Sequence, residues 1–114
     1  MKTDDRIERL LDDLDGLLEE AAELVERGRG AYDADSAIRR ACEAICIHIG
    51  EIAKRLTALE PARFSDDIWS AVARNRDLLA HHYDRVDSGQ LWITMSVHLP
   101  ALAPTIAAAR TRTE

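Results

Sequence analysis

Three side chains that together could act on a phosphodiester lie in residues 74–83, whose sequence is RNRDLLAHHY. They are Arg76, His81 and Tyr83, and their spacing is Arg-x4-His-x-Tyr. Arginine is a permanent cation with several donors, an imidazole titrates near neutrality, and a phenol both donates and accepts hydrogen bonds. A site without a metal could use these groups to hold a phosphodiester and to move protons around it.

The three side chains lie near the end of a predicted amphipathic helix, which does not aim them all in one direction. At about 100° per residue, Arg76 and Tyr83 share a stripe, whereas His81 lies about 140° from Arg76. The reach of the arginine, a helix end near His81 or a second copy across a symmetric interface could bring the two groups together. The alternative interpretation is a solvated helix end, where arginine and histidine are favourable near the negative terminus.

Two neighbouring residues leave the assignment of roles open. His82 follows His81 directly, so either imidazole could be the active one. Arg74 precedes His81 by seven residues and lies close to the same stripe. Arg74 could therefore be a second phosphate contact, or equally a surface arginine.

Cys42 and Cys46 stand at i and i+4 and could supply two metal ligands, with His48 or Glu51 nearby. Zinc requires four converging ligands, and no second Cys or His pair stands at motif spacing. We therefore predict no metal site and expect two reduced cysteines in the core. His48 and His98 are isolated and are interpreted as structural.

Charge and composition limit the classes of protein that this chain can be. Its 114 residues predict one domain, 1–114, and its formal net charge of −6 argues against nucleic-acid binding by bulk attraction. Any RNA contact must depend on a local arginine cluster, a basic partner or a cleft between two subunits. No apolar stretch of membrane-spanning length and no signal peptide is present, which predicts a cytoplasmic protein.

Apolar residues recur at helical spacing in most of the chain, which predicts an all-α, up-and-down bundle of four to five helices. Aromatic residues make up only 4% of the sequence, so aliphatic side chains and alanine must fill the core. The acidic runs of the first helix should form solvated faces. The predicted helices cover residues 4–27, 35–59, 65–83, 90–98 and 102–110.

Capping and breaking residues set the limits of these helices. Gly28 and Gly30 should end the first helix, and Asp35 or Ser36 should cap the second. Ser65 should open the third, with acidic residues 66 and 67 in its first turn. Residues 87–89 are interpreted as a loop and cap, and the prolines at 100 and 104 should break or kink the last part of the chain.

Residues 74–83 resemble the RNLLAHxY-type signature of HepT-like proteins, which are ribonuclease toxins of the HEPN superfamily. Residues 50–56, GEIAKRL, are similar to the GEAAKRL-type stretch on the second long helix of that family. The pair Ile68-Trp69 before the motif, and the pairs Val86-Asp87 and Leu91-Trp92 after it, also fit. The resemblance covers nearly the whole chain, although only the Arg/His/Tyr motif is specific.

The resemblance implies a homodimer whose two motifs face each other in a cleft and cut RNA without metal or cofactor. Arg76 would hold the scissile phosphate, and His81 would act in proton transfer. Asp77 occupies the polar position after the arginine and would orient the pair. Attack by the neighbouring 2′-hydroxyl would leave a cyclic phosphate and a 5′-hydroxyl.

The resemblance also implies a partner. Tyr83 matches the tyrosine that a minimal nucleotidyltransferase antitoxin of the MntA type modifies with AMP, and the added charge would repel RNA. The sequence departs from the family at His82, where a small or acidic residue is common, and at Asp84, where an aromatic residue is common.

Two other functions remain open on the sequence alone. The chain could be a non-catalytic helical adaptor that pairs with a nucleotidyltransferase and helps it to bind its substrate. It could also be a purely structural dimerising bundle, in which no change in residues 76–83 has an effect beyond stability.

Overall fold

The computed structural model describes residues 2–81 and 85–111, which form helices joined by short connections. The helices are α1 (Thr3–Glu26), α2 (Arg29–Ala34), α3 (Ser36–Leu59), α4 (Asp67–His81), α5 (Ser88–Ile93, continued by a π-helical turn, Thr94–His98) and α6 (Leu102–Thr111). No strand occurs in these ranges, and the predicted all-α bundle is confirmed. Within them, no single helix is long and apolar enough to cross a membrane; only Ser88–His98 and Leu102–Thr111 together, bent by 45°, meet that criterion.

Side-chain caps explain where three helices begin. Asp35 caps α3 as predicted, because its carboxylate accepts a hydrogen bond from the Ala37 amide at 2.9 Å. Asp66, rather than the predicted Ser65, accepts from the Ile68 amide at 3.0 Å, so α4 begins two residues later than predicted. Asp87 accepts from the Gln90 amide at 3.1 Å, and residues 88–89, predicted as loop, are the first turn of α5.

The short helix α2 was not predicted. Gly28 ends α1 with a φ of 93°, but Gly30 lies inside α2 instead of helping to end α1. Tyr32 explains the difference, because its side chain is fully buried and its ring packs 5.1 Å from that of Trp92. The Tyr32 hydroxyl donates to the Ser88 carbonyl oxygen at 2.6 Å, and burial raises the pKa of Tyr32 to about 12.

The last two prolines have different effects. Pro100 lies in the turn between α5 and α6, as predicted. Pro104 was predicted to break or kink the chain, but it lies in the first turn of α6, which continues to Thr111. Amides in a first helical turn have no partner within the helix, so the missing N–H of a proline is tolerated there.

The core lies between α3 and its neighbours α1 and α4. It is aliphatic, as predicted, with a few buried rings. Cys42 and Cys46 are both unpaired and buried in it, which confirms them as reduced core residues. Cys46 Sγ lies 3.7 Å from Met95 Sδ, and burial raises the pKa of Cys46 to about 12. The largest fully buried side chains are Ile7, Leu11, Leu14, Tyr32, Ile49, Leu56, Phe64, Trp69, Met95, Leu99, Leu102 and Ile106.

Arg110 ties the last helix to the first. Its guanidinium donates to Glu8 at 2.7 Å, to Asp12 at 2.9 Å and to Asp15 at 2.7 Å. The acidic face of α1 is exposed, as predicted, and part of it also binds this arginine. These carboxylates raise the pKa of Arg110, with Asp15 making the largest contribution.

Gly50 allows α3 and α4 to come unusually close. A Cβ at position 50 would collide with Cβ of Arg76 and would lie only 2.8 Å from the carbonyl oxygen of Val72. The stem of Arg76 therefore rests directly on the backbone of α3. Only glycine fits at this position without a shift of one helix.

We expect Gly50→Ala to destabilise the fold by about 1–3 kcal/mol, because the added methyl must separate two packed helices. Gly16→Ala is the matched control, since nothing lies within 4 Å of a Cβ at that position in α1. Alanine is favoured over glycine inside a helix, so Gly16→Ala should stabilise by about 0.5–1 kcal/mol. Urea unfolding of the three proteins measures both effects. Equal stability of the two variants would contradict the close packing.

Candidate functional site

Arg76 is held where α4 packs on α3. Its side chain is only 23% exposed, and Nη2 donates to the Glu51 carboxylate at 2.6 Å. Nη1 donates to the Asp77 carboxylate at 3.1 Å. Two carboxylates from different helices thus fix the orientation of one guanidinium.

Lys54 extends this pair into a network of four charges. Its ammonium donates to Asp77 at 2.7 Å, so Asp77 bridges Lys54 and Arg76. These bonds from Lys54 and Arg76 hold the pKa of Asp77 below its usual value. Hydrogen bonds to Asp77 and Glu51 in turn raise the pKa of Arg76.

The third nitrogen of the same guanidinium forms no hydrogen bond within the described residues. Nε of Arg76 is buried there without a hydrogen-bond partner. A covered donor without an acceptor is unfavourable, so this nitrogen is an unsatisfied hydrogen-bonding group within the site. Because neighbouring atoms cover it, an incoming acceptor would reach it only after a local rearrangement.

His81 is the last residue of α4 and is exposed. The helix is continuous from Asp67 to His81, so the angle of about 140° between Arg76 and His81 is kept. Within one protomer, the structure therefore does not direct the two groups to one point. Arg74 is exposed on the His81 side of the helix. The candidate residues His82 and Tyr83, and with them Asp84, lie outside the described residues.

A groove of about 330 Å³ runs between the end of α4 and the start of α5. Asn75 of the motif lines it, together with Arg85 and Gln90. Leu78 also lines it and is 61% exposed, a large fraction for an aliphatic side chain. Leu78 precedes His81 by three residues, so this apolar surface adjoins the imidazole.

The remaining histidines are exposed. His48 lies on α3 and His98 in the π-helical turn, and neither is a core residue. Neither side chain contributes to the core, and the interpretation that both lack a functional role stays a prediction.

Glu51 and Lys54 were not recognised as partners of the motif from the sequence. Glu51 was considered only as a possible metal ligand and as part of the GEIAKRL stretch. The signal that could have found them is the combination of a glycine, an acid and a lysine within residues 50–54 of one helix. A glycine at a helix contact places the next turns of both helices within reach of each other.

The structure is a helical bundle in which α4 carries an arginine held by carboxylates and ends at a histidine. These features agree with the family that sequence comparison finds. The family described as Ribonuclease HepT-like matches residues 14–109. The chain therefore belongs to the HepT-like ribonuclease family, a toxin-type family of the HEPN class. Comparison with curated proteins and with solved structures gave no match.

The charge network predicts a measurable change at Asp77. Lys54→Met removes the cation with the larger effect on this carboxylate and should raise the pKa of Asp77 toward its usual value. Because the folded-state pKa of Asp77 is lowered, its contribution to stability is present above the unfolded-state pKa and is lost as the pH falls through the folded-state pKa. Carboxyl carbon NMR titration measures the shift. Lys2→Met, the control at the only other lysine, should leave Asp77 unchanged.

Proposed function

We propose that this protein is the toxin of a HepT/MntA-type toxin–antitoxin pair. It is a metal-independent endoribonuclease that works as a homodimer, with Arg76 and His81 as its catalytic residues. A minimal nucleotidyltransferase antitoxin neutralises it by attaching AMP to Tyr83. Membership of the HepT-like ribonuclease family supports the class of reaction.

The observation that carries the proposal is the fixed guanidinium of Arg76. Two carboxylates hold it, and its Nε has no acceptor among the described residues. An anion that approaches this group meets a cation already oriented, so little reorganisation is needed when charge develops on the phosphate. A solvated helix end would not require such anchoring.

In the proposed homodimer, a second copy of the chain supplies the histidine that a single α4 does not direct toward Arg76. Because Arg76 and His81 diverge on a continuous helix, a twofold arrangement can bring the arginine of one copy toward the histidine of the other. Leu78, beside His81, is 61% exposed, and Ile93 and Val97 of the neighbouring α5 region are 43% and 59% exposed. Burial of such side chains favours association near this end of the molecule.

In the proposed reaction, the ribose 2′-oxygen attacks the adjacent phosphorus and the bond from phosphorus to the 5′-oxygen breaks. One imidazole accepts the proton from the 2′-hydroxyl, and a second donates a proton to the departing 5′-oxygen. Arg76 binds the non-bridging oxygens as their charge increases. The products are a cyclic phosphate and a 5′-hydroxyl, and a dimer supplies the required pair of imidazoles. Arg74 and His82 are supporting residues that contact the RNA, and Asp77 orients Arg76.

Modification of Tyr83 blocks this site by charge and by size. Tyr83 lies two residues after His81, so an attached AMP places a phosphate close to the imidazole. That phosphate competes with the RNA backbone for the same cations and repels it. The antitoxin thus neutralises the enzyme without having to remain bound.

We expect Arg76→Ala and His81→Ala each to reduce RNA cleavage about 10²- to 10⁴-fold, because each removes a group that acts in the transition state. Arg27→Ala and His48→Ala are the matched controls, since both residues are exposed and lie outside the motif. Cleavage of a labelled RNA by purified protein measures the rates, and analytical ultracentrifugation verifies that the dimer persists. Retained cleavage in both motif variants would contradict the proposal, whereas absence of cleavage by the unaltered protein would favour the non-catalytic adaptor.

Co-expression with a nucleotidyltransferase partner should add one or more AMP units to Tyr83. The chain has two tyrosines, and Tyr32 is fully buried with its hydroxyl bonded to Ser88. Intact mass and peptide mapping should therefore locate the added mass on Tyr83, and Tyr83→Phe should remain unmodified and toxic. Modification that persists in Tyr83→Phe would refute this part of the proposal.

A further inference from the structure

A cationic cavity lies between the first part of α1 and the last part of α3. It has a volume of about 530 Å³. Three arginines line it, namely Arg6 and Arg9 of α1 and Arg55 of α3. The other lining residues are the apolar Leu10, Ala58 and Leu59 and the acidic Asp13.

Within residues 2–81 and 85–111, Arg6, Arg9 and Arg55 form no ion pair, whereas Arg29, Arg40, Arg63, Arg76 and Arg110 each do. Four further arginines in these ranges also form none, namely Arg27, Arg39, Arg74 and Arg85. What distinguishes the first three is that they line one cavity, in a chain with 21 acidic and 15 basic side chains.

Arg6 and Arg9 are three residues apart on one helix, so their like charges repel each other. Asp13, four residues after Arg9, compensates part of this repulsion. Arg55 adds a third positive charge from the facing helix. An anionic ligand would offset this repulsion.

The cavity and the proposed catalytic group share helix α3, which carries Arg55 in the cavity and the carboxylate that holds Arg76. Arg55 follows Glu51 by one helical turn, about 6 Å along α3 and about 40° around it. Glu51 holds Arg76, so a strand bound at Arg76 can pass within reach of Arg55.

We propose that this cavity binds phosphates of a single-stranded RNA outside the cleavage site. Guanidinium groups recognise phosphate oxygens, and a planar guanidinium or an apolar floor can also receive an unstacked base. The apolar lining favours a nucleotide over a purely acidic peptide, because a base has a face to bury and a glutamate does not. The inference rests on the proposed function in one respect, namely that RNA is the substrate.

The test separates binding from cleavage. A 2′-O-methyl RNA of about 12 nucleotides, within the range of single-strand site sizes, lacks the attacking hydroxyl and cannot be cut by the proposed route. Its affinity is measured by fluorescence anisotropy at several salt concentrations. The variants are Arg6→Ala/Arg55→Ala and the charge-matched control Arg27→Ala/Arg40→Ala, whose arginines are exposed and lie outside the cavity.

We expect the cavity variant to bind roughly five- to tenfold more weakly than wild type, as the loss of two exposed charge contacts implies. Its slope of log K against log salt should be smaller in magnitude by about 1.4, since each phosphate contact on a single strand contributes about 0.7. The control should change by less than about twofold, because screening weakens distant charges. The melting temperature of the cavity variant should not fall below that of the control.

Equal losses in the two double variants would overturn the inference. So would RNA binding that is unchanged while binding of a polyglutamate peptide is lost in the cavity variant, since the cavity would then serve an acidic protein segment. If wild type cleaves unmodified RNA but the cavity variant binds like the control, only the cavity inference fails. If wild type does not cleave but binding still depends on the cavity arginines, the catalytic proposal fails and the RNA site stands.

Discussion

The contact between Gly50 and Arg76 determines how the candidate site is built. With no side chain at position 50, α4 lies against the backbone of α3, and the stem of Arg76 fills the gap. The guanidinium then emerges beside Glu51, one residue further along α3, at 2.6 Å. A charged side chain with many rotamers is thus restricted to one orientation by packing at its base and by a carboxylate at its head. Restriction of this kind lowers the entropy lost when a ligand binds.

The carboxylates beside Arg76 limit how strongly this arginine can attract an anion from a distance. Glu51 and Asp77 together carry two negative charges beside Arg76, and Lys54 restores one positive charge. The four-residue network is therefore close to neutral. It acts as a positioned set of donors rather than as a source of long-range attraction for a polyanion.

The helices were largely predictable because the chain carries strong local signals, whereas the contacts around the candidate site were not. Aspartates precede α3 and α5, the glycine at 28 ends α1, and apolar residues keep a helical period on both long helices. The errors came from tertiary contacts that no local pattern encodes, since burial of Tyr32 turns a glycine-rich connection into a helix. In the site, Arg76 and His81 were chosen as candidates from their types and spacing, and their catalytic roles stay a prediction. The role of Glu51 depends on which faces of α3 and α4 meet. The family resemblance identifies residues 50–56 as a similar stretch, but it does not show which residues of α4 they contact.

For the proposed RNA substrate, an acidic protein must meet two requirements, and the proposals assign them to different arginines. Chemistry requires a cation fixed to within a fraction of an ångström, which here requires carboxylates beside it, and those carboxylates weaken its pull on phosphate. Attraction requires cations that no carboxylate neutralises, and these need not be fixed. In the functions proposed above, Arg76 would meet the first requirement, and Arg6, Arg9 and Arg55 would meet the second. Because α3 carries both Glu51 and Arg55, one helix links the two sets of arginines.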